Sequence, residues 1–155
     1  DKVLEYIATG KKEGKLLTGG ARLERDGYYI QPTIFIDADR NSTIAREEIF
    51  GPVLTVVKFK NADEALKFAN DTDYGLASGV HTTCIEKALY VASNLKAGTV
   101  WINTYNALHP QLPFGGYKTS GIGRELGEEV LNNYLETKTV RIAGISSGLG
   151  SPRLN

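Results

Sequence analysis

Glu48, Phe50 and Cys84 are the residues of this sequence with the most to offer chemically, and each carries an inert reading beside the reactive one. A carboxylate such as Glu48 has two acceptor oxygens that can grip the vicinal hydroxyls of a ribose in bidentate fashion. A lone glutamate is more often a surface or helix-cap residue. Phe50 precedes Gly51 and Pro52, a pair that forces a turn and can present the ring to a ligand; the plain alternative is a core phenylalanine. Cys84 offers a thiol, but its setting, His81-Thr82-Thr83-Cys84-Ile85-Glu86, reads as a strand end entering a helix. Isolated cysteines are mostly buried small apolar groups, so Cys84 is expected to be structural. His81 and His109 lie far apart, with no metal-binding spacing around them, and no metal site is expected. Gly115-Gly116 and Gly121-Ile122-Gly123 do not follow a strand in the dinucleotide fingerprint, so they read as turn-makers rather than as a phosphate cradle.

The elements that must position these residues alternate. Val3, Leu4 and Ile7 share one helical face before Gly10 offers a stop. Leu16-Leu17-Thr18 before Gly19-Gly20 resembles a short strand and turn, and residues 28–36 are rich in aromatic and β-branched types, with Pro32 suggesting an edge or bulge. Residues 53–59 form a buried-type strand, and Asn61 is the expected N-cap of a helix over 61–69. The step repeats, with a strand over 75–81, a helix over 85–95 and a strand over 98–103 that ends at Asn103. Strand–helix alternation with short connections predicts an α/β fold: a mostly parallel sheet covered by helices on both faces. A Gly/Pro-rich stretch over 110–123 then leads to a helix expected around 124–134, a strand over 137–142 and a flexible tail from 144 to 155.

Composition narrows the class. The chain has 155 residues, enough for one domain with a sizeable core, and 18 basic against 18 acidic side chains make it formally neutral. Neutrality argues against nucleic acid or an anionic membrane as partner. One cysteine cannot close an internal disulfide, which suits a reducing compartment. No apolar run approaches the roughly 20 residues of a membrane span, and no signal-like segment opens the chain. Cytoplasm and mitochondrial matrix are the expected locations.

Three strings carry a family resemblance: Glu47-Glu48-Ile49-Phe50-Gly51-Pro52-Val53, Ala97-Gly98-Thr99-Val100-Trp101-Ile102-Asn103, and Pro113-Phe114-Gly115-Gly116-Tyr117-Lys118 with Ser120-Gly121-Ile122-Gly123-Arg124-Glu125. Together they resemble the C-terminal portion of the aldehyde dehydrogenase superfamily, from Lys2 to about Ile142, with the nearest look to broad-specificity tetrameric members and their betaine-aldehyde relatives. The resemblance implies NAD- or NADP-dependent oxidation of an aldehyde to a carboxylic acid, through a cysteine thiohemiacetal and thioester. The family's nucleophile string, Phe-x-x-x-Gly-Gln-x-Cys, is not in this chain. That string, the general-base glutamate, the oxyanion asparagine and the dinucleotide-binding domain are expected in a preceding portion. No catalytic residue is therefore assigned here, and the chain alone is expected to be inactive.

By the same resemblance, Glu48 and Phe50 contact the nicotinamide ribose and Lys2 lies near the adenosine ribose. Asn106, Leu108 and Phe114 face the substrate tunnel, Phe114 foremost. Asn103 braces the active-site region, a turn-forming role being the alternative. Leu108 stands where several relatives carry a second aromatic, and His109 and Pro110 are unusual in that loop, so the aldehyde stays open. The resemblance further divides the chain into a part of the catalytic domain over 1–134, whose residues 1–46 lead from the cofactor-domain side, and an oligomerisation strand over 135–143. That strand implies a homodimer or homotetramer. The competing reading is a truncated or proteolytic product acting as a non-catalytic assembly module.

Overall fold

The fold is described from a computed structural model, for residues 1–143. Its first half is built on α1 (Lys2–Glu13), β1 (Lys15–Thr18), β2 (Thr33–Ile36), α2 (Thr43–Arg46) and β3 (Val53–Val56). β1 and β2 are antiparallel, with Leu16 opposite Phe35, whereas β2 and β3 are parallel, with Thr33 opposite Val53. Helix α1 does not stop at Gly10. That glycine is buried against the Phe35 ring, and a Cβ there would meet Phe35 Cζ at 2.7 Å. The close approach offsets the helix penalty of glycine, so the helix runs on to Glu13. Ile7, Phe35, Ala38, Ile44 and Ile49 form the core of this half. Thr33 is also buried; its hydroxyl donates to the Gln31 carbonyl (2.8 Å) and accepts from the Gly20 amide (2.9 Å), which satisfies both groups.

The second half holds α3 (Ala62–Asn70), β4 (Ala77–Val80), α4 (Ile85–Asn94) and β5 (Thr99–Ile102). β4 and β5 pair in parallel, Gly79 opposite Trp101, and α4 packs on both. Asn61 caps α3 as expected: its side chain accepts from the Glu64 amide at 2.9 Å, while Glu64 reaches back to the Lys60 amide at 2.6 Å. Asn61→Ala is expected to lower stability by about 1 kcal/mol, seen as a small drop in thermal midpoint of the complete enzyme.

The α/β class stands, with its parallel pairs in two sheets, β1-β2-β3 and β4-β5. Periodicity identifies strands but does not say which of them are neighbours. Two expected elements differ. The helix around 124–134 is instead a 3-10 turn at Glu129–Asn133, because Gly123, Leu126 and Gly127 take positive φ (78°, 61° and 61°) and break any continuous helix. Residues 137–142 are exposed and carry no strand hydrogen bonds; an edge strand needs a partner strand, and no described strand lies beside them. The expected tail, 144–155, lies outside the described residues. Among the described residues no helix is long and apolar enough to cross a membrane.

The surface is large for the mass. The chain exposes 12216 Å², whereas a folded monomer of this size exposes about 7,700 Å². Subtracting the most that residues 144–155 can contribute, roughly 1,700 Å², still leaves an excess of more than about 2,500 Å². Leu54, Phe59, Ile85 and Leu89 are among the apolar side chains left in solvent.

Candidate functional site

The segment from Glu47 to Pro52 leaves α2 in extended conformation and turns at Phe50. Phe50 adopts φ 54°, the left-handed region that a bulky side chain rarely enters. It is also 87% exposed. The backbone thus bears strain, of order 1–3 kcal/mol, and the ring recovers nothing by burial. Phe50 is therefore not a core phenylalanine, and its ring is open to a ligand.

The turn is fixed from three sides. Ile49 is buried in the core with Ile7, Gly51 lies so close to α1 that a Cβ would meet Val3 Cγ2 at 2.8 Å, and the Pro52 carbonyl accepts from the Thr33 amide at 2.8 Å. Only one of the two adjacent carboxylates is engaged among the described residues. Glu47 accepts the Tyr6 hydroxyl at 2.7 Å, and this bond, ahead of desolvation, raises the Tyr6 pKa above the usual tyrosine value. Its contribution to stability is accordingly complete below the unfolded-state pKa and lost as pH rises through the folded value. Glu48 is exposed with both oxygens uncommitted. The tyrosine partner lies 41 residues earlier, so the sequence around Glu47 carries no local signal of this bond.

Phe50 is shared by two concavities. One, of about 400 Å³, is lined by Glu47, Glu48, Ile49 and Thr55; the other, of about 450 Å³, by Lys2, Val3, Tyr28, Tyr29 and Ile30. The structure therefore brings Glu48, Phe50 and Lys2 around one turn. Lys2 is exposed, its Nζ 5.8 Å from the Tyr6 ring centroid. A carboxylate acceptor, an apolar ring and an ammonium donor on neighbouring hollows can hold a polyhydroxylated, anionic ligand with an aromatic base.

Asn103, Asn106, Leu108 and Phe114 line neither hollow. Asn103 turns the chain at φ 54°, and its amide accepts from the Thr82 amide (2.8 Å) and donates to the Thr82 carbonyl (2.9 Å), locking the end of β5 to the end of β4. Asn106 is exposed with φ 53°, and Leu108 is 51% exposed. The loop is pinned where Trp101 Nε1 donates to the Ala107 carbonyl at 2.9 Å and where Phe114 and Glu125 exchange backbone hydrogen bonds of 2.7 Å each. Phe114 is half-buried at this second pin. The side chains between the pins face solvent.

Cys84 is exposed, not buried. It occupies the N-cap position of α4, a surface position by nature, and its thiol donates to Glu86 at 3.1 Å. This bond is the main reason the Glu86 carboxyl sits below the usual carboxylate range. His109 accepts a local backbone amide from Gln111 at Nδ1. Among the described residues, no group of three or more His, Cys, Asp and Glu can hold a metal ion.

Comparison with known proteins gives this geometry a context. The family model described as "Aldehyde dehydrogenase family" matches residues 1–140. An aldehyde dehydrogenase of Davidiella tassiana is 54% identical over 143 residues, covering 92% of this chain and 29% of its own length. Retinaldehyde dehydrogenase 3 of Rattus norvegicus is 57% identical, again over 92% of this chain and 28% of its own length. An aldehyde dehydrogenase from Bacillus cereus, solved as its NAD+ complex, superposes with a TM-score of 0.87 at 52% identity, over 90% of this chain and 28% of that one. The chain thus spans less than a third of the relatives it matches, and by the extent of the match it belongs to the aldehyde dehydrogenase family.

Proposed function

We propose that this chain is the C-terminal portion of an NAD(P)-dependent aldehyde dehydrogenase that oxidises an aldehyde to a carboxylic acid, and that its part is to place the cofactor and wall the substrate tunnel. The observation that carries this reading is Phe50, strained and 87% exposed beside the uncommitted carboxylate of Glu48. The cradle fits the nicotinamide half of a dinucleotide: Glu48 accepts from two ribose hydroxyls, and Phe50 packs on the sugar and limits its rotation. Lys2, which lines the second hollow with Phe50, donates toward the second ribose. Hydride acceptance is the chemistry that a nicotinamide supplies. NAD is the form that the Bacillus cereus relative contains.

The remaining residues have supporting parts. Asn103 holds the β4 and β5 ends together, and Phe114, with Leu108 and Asn106, presents one wall to the aldehyde. Residues 135–143 are an assembly segment in which exposed Val140 and Ile142 pair with the sheet edge of a second subunit, giving a homodimer or homotetramer. An exposed, unpaired thiol at Cys84 suits a reducing compartment, the cytoplasm or the mitochondrial matrix. Cys84 is given no catalytic part: it stands at the start of α4 with its thiol donating to the Glu86 carboxylate.

The test is direct. With NAD+ or NADP+ and acetaldehyde or betaine aldehyde, the 155-residue chain is expected to form no reduced dinucleotide, whereas the complete enzyme does so and keeps its rate after Cys84→Ser. Turnover by the isolated chain that vanishes with Cys84→Ser would transfer the nucleophile to Cys84 and overturn this division of roles.

A further inference from the structure

Helix α1 touches the Glu48–Phe50 turn at both ends. At the near end the Tyr6 hydroxyl meets Glu47 at 2.7 Å, and at the far end Val3 closes on Gly51. Between them Ile49 is buried beside Ile7, so residues 3, 6 and 7 of one helix face hold residues 47, 49 and 51 of the turn. Adjacent side chains on an extended backbone point to opposite sides. Glu47 is extended, with φ −101° and ψ 146°. Drawing it toward α1 therefore turns the Glu48 side chain away from the helix, at the rim of the hollow that both glutamates line with Phe50. Lys2 stands on the same helix, so one rigid element carries a cofactor contact and sets the position of two more. At its other end α1 is fixed again: the Glu13 carboxylate accepts from the Thr43 hydroxyl at 2.7 Å and the Ile44 amide at 3.1 Å, holding α2, from which the turn departs.

We propose that Tyr6 and Glu47 form a positioning strut: their hydrogen bond fixes the direction of Glu48 and the placement of Phe50, and so tunes dinucleotide affinity without touching the dinucleotide. This rests on the role given to Glu48 and Phe50 above. The strut has a built-in comparison elsewhere in the chain, because the Tyr90 hydroxyl makes an equivalent exposed bond to Asp63 at 2.6 Å between α3 and α4, away from the turn.

In the complete enzyme, Tyr6→Phe removes only the donor. It is expected to raise the KM for NAD+ about threefold to tenfold, the scale of one charge-assisted hydrogen bond lost from a positioning contact. The alkylation rate of the catalytic thiol by iodoacetamide and the aldehyde KM should not move. Glu47→Ala should match Tyr6→Phe, the double variant should be no worse than either single one, and Glu47→Gln, whose carbonyl still accepts the hydroxyl, should recover the parent KM to within about twofold. Tyr90→Phe should leave the NAD+ KM unchanged. An unchanged NAD+ KM in Tyr6→Phe, or an equal rise in Tyr90→Phe, overturns the strut. If Glu48→Gln is impaired while Tyr6→Phe is not, the strut alone fails; if neither is impaired, the ribose grip fails with it.

Discussion

In the complete enzyme, Glu48→Gln is expected to slow hydride transfer about 10- to 100-fold while the catalytic thiol is alkylated at its parental rate. Both hydroxyls of a ribose donate, and a carboxylate receives both through equivalent, charged oxygens. A glutamine keeps one acceptor and turns a donor toward the second hydroxyl, so one bond is lost and the other loses its charge assistance. Phe50 still packs on the sugar and limits its rotation, which is why binding weakens less than the transfer step: the ring confines the ribose, but the final alignment of the nicotinamide rests on the carboxylate. The measurement is the pre-steady-state burst of reduced dinucleotide, with a deuterated aldehyde to report the hydride step. A larger isotope effect with a slower burst supports the grip. A burst unchanged in rate and isotope effect would remove Glu48 from it.

The largest loss of stability is expected from Gly98→Ala. Gly98 enters β5 where the backbone of Gly115 crosses it, and a Cβ would overlap the Gly115 carbonyl oxygen, with its carbon at 2.7 Å. The crossing is tied together through one acceptor, the Gly75 carbonyl, which receives the amides of Gly98 (3.0 Å) and Tyr117 (2.8 Å). A methyl group cannot enter without parting these backbones. The cost is expected at about 3 kcal/mol or more, the range of overpacking combined with broken buried hydrogen bonds. Because Phe114 precedes the crossing by one residue, the tunnel wall should shift with it. Thermal denaturation of the complete enzyme should show a drop of several degrees, accompanied by a raised aldehyde KM. Gly79→Ala is the control, since its nearest neighbour stands at 3.7 Å from the added carbon and the backbone is ordinary there. Equal midpoints for the two variants would show that the loop accommodates the methyl.

What the sequence discloses here follows the range of the interactions involved. The β-branched runs that became β3 and β5, the Asn61 cap and the apolar spacing of α4 are local patterns; β5 and α4 were legible to within one residue, and β3 at its start, though it ends at Val56 rather than at residue 59. The strings around Glu48, Trp101 and Phe114 were legible as a family resemblance for the same reason: each is short and contiguous. Contacts between distant segments were not. Gly10 reads as a helix stop until the Phe35 ring is seen packed against it, and Tyr6 reads as one more residue on a helix face until Glu47 is found at its hydroxyl. Cys84 misleads because the general tendency of cysteine to be buried yields to its place at a helix start. The helix expected near Arg124 failed on a local feature, the glycines at 123 and 127 with their positive φ. The fate of residues 137–142 is of a different kind, since an edge strand is defined by what lies next to it.

The left-handed backbone at Phe50 sets two demands on one position against each other. Fold stability alone would favour glycine, which enters that region without penalty, whereas ligand placement requires a large planar ring. A lineage that stopped using the cofactor would be free to relax the turn and gain stability by doing so. If Phe50 has the part proposed for it, Phe50→Gly should raise the thermal midpoint of the complete enzyme while weakening its hold on the dinucleotide, so that one substitution reads both demands.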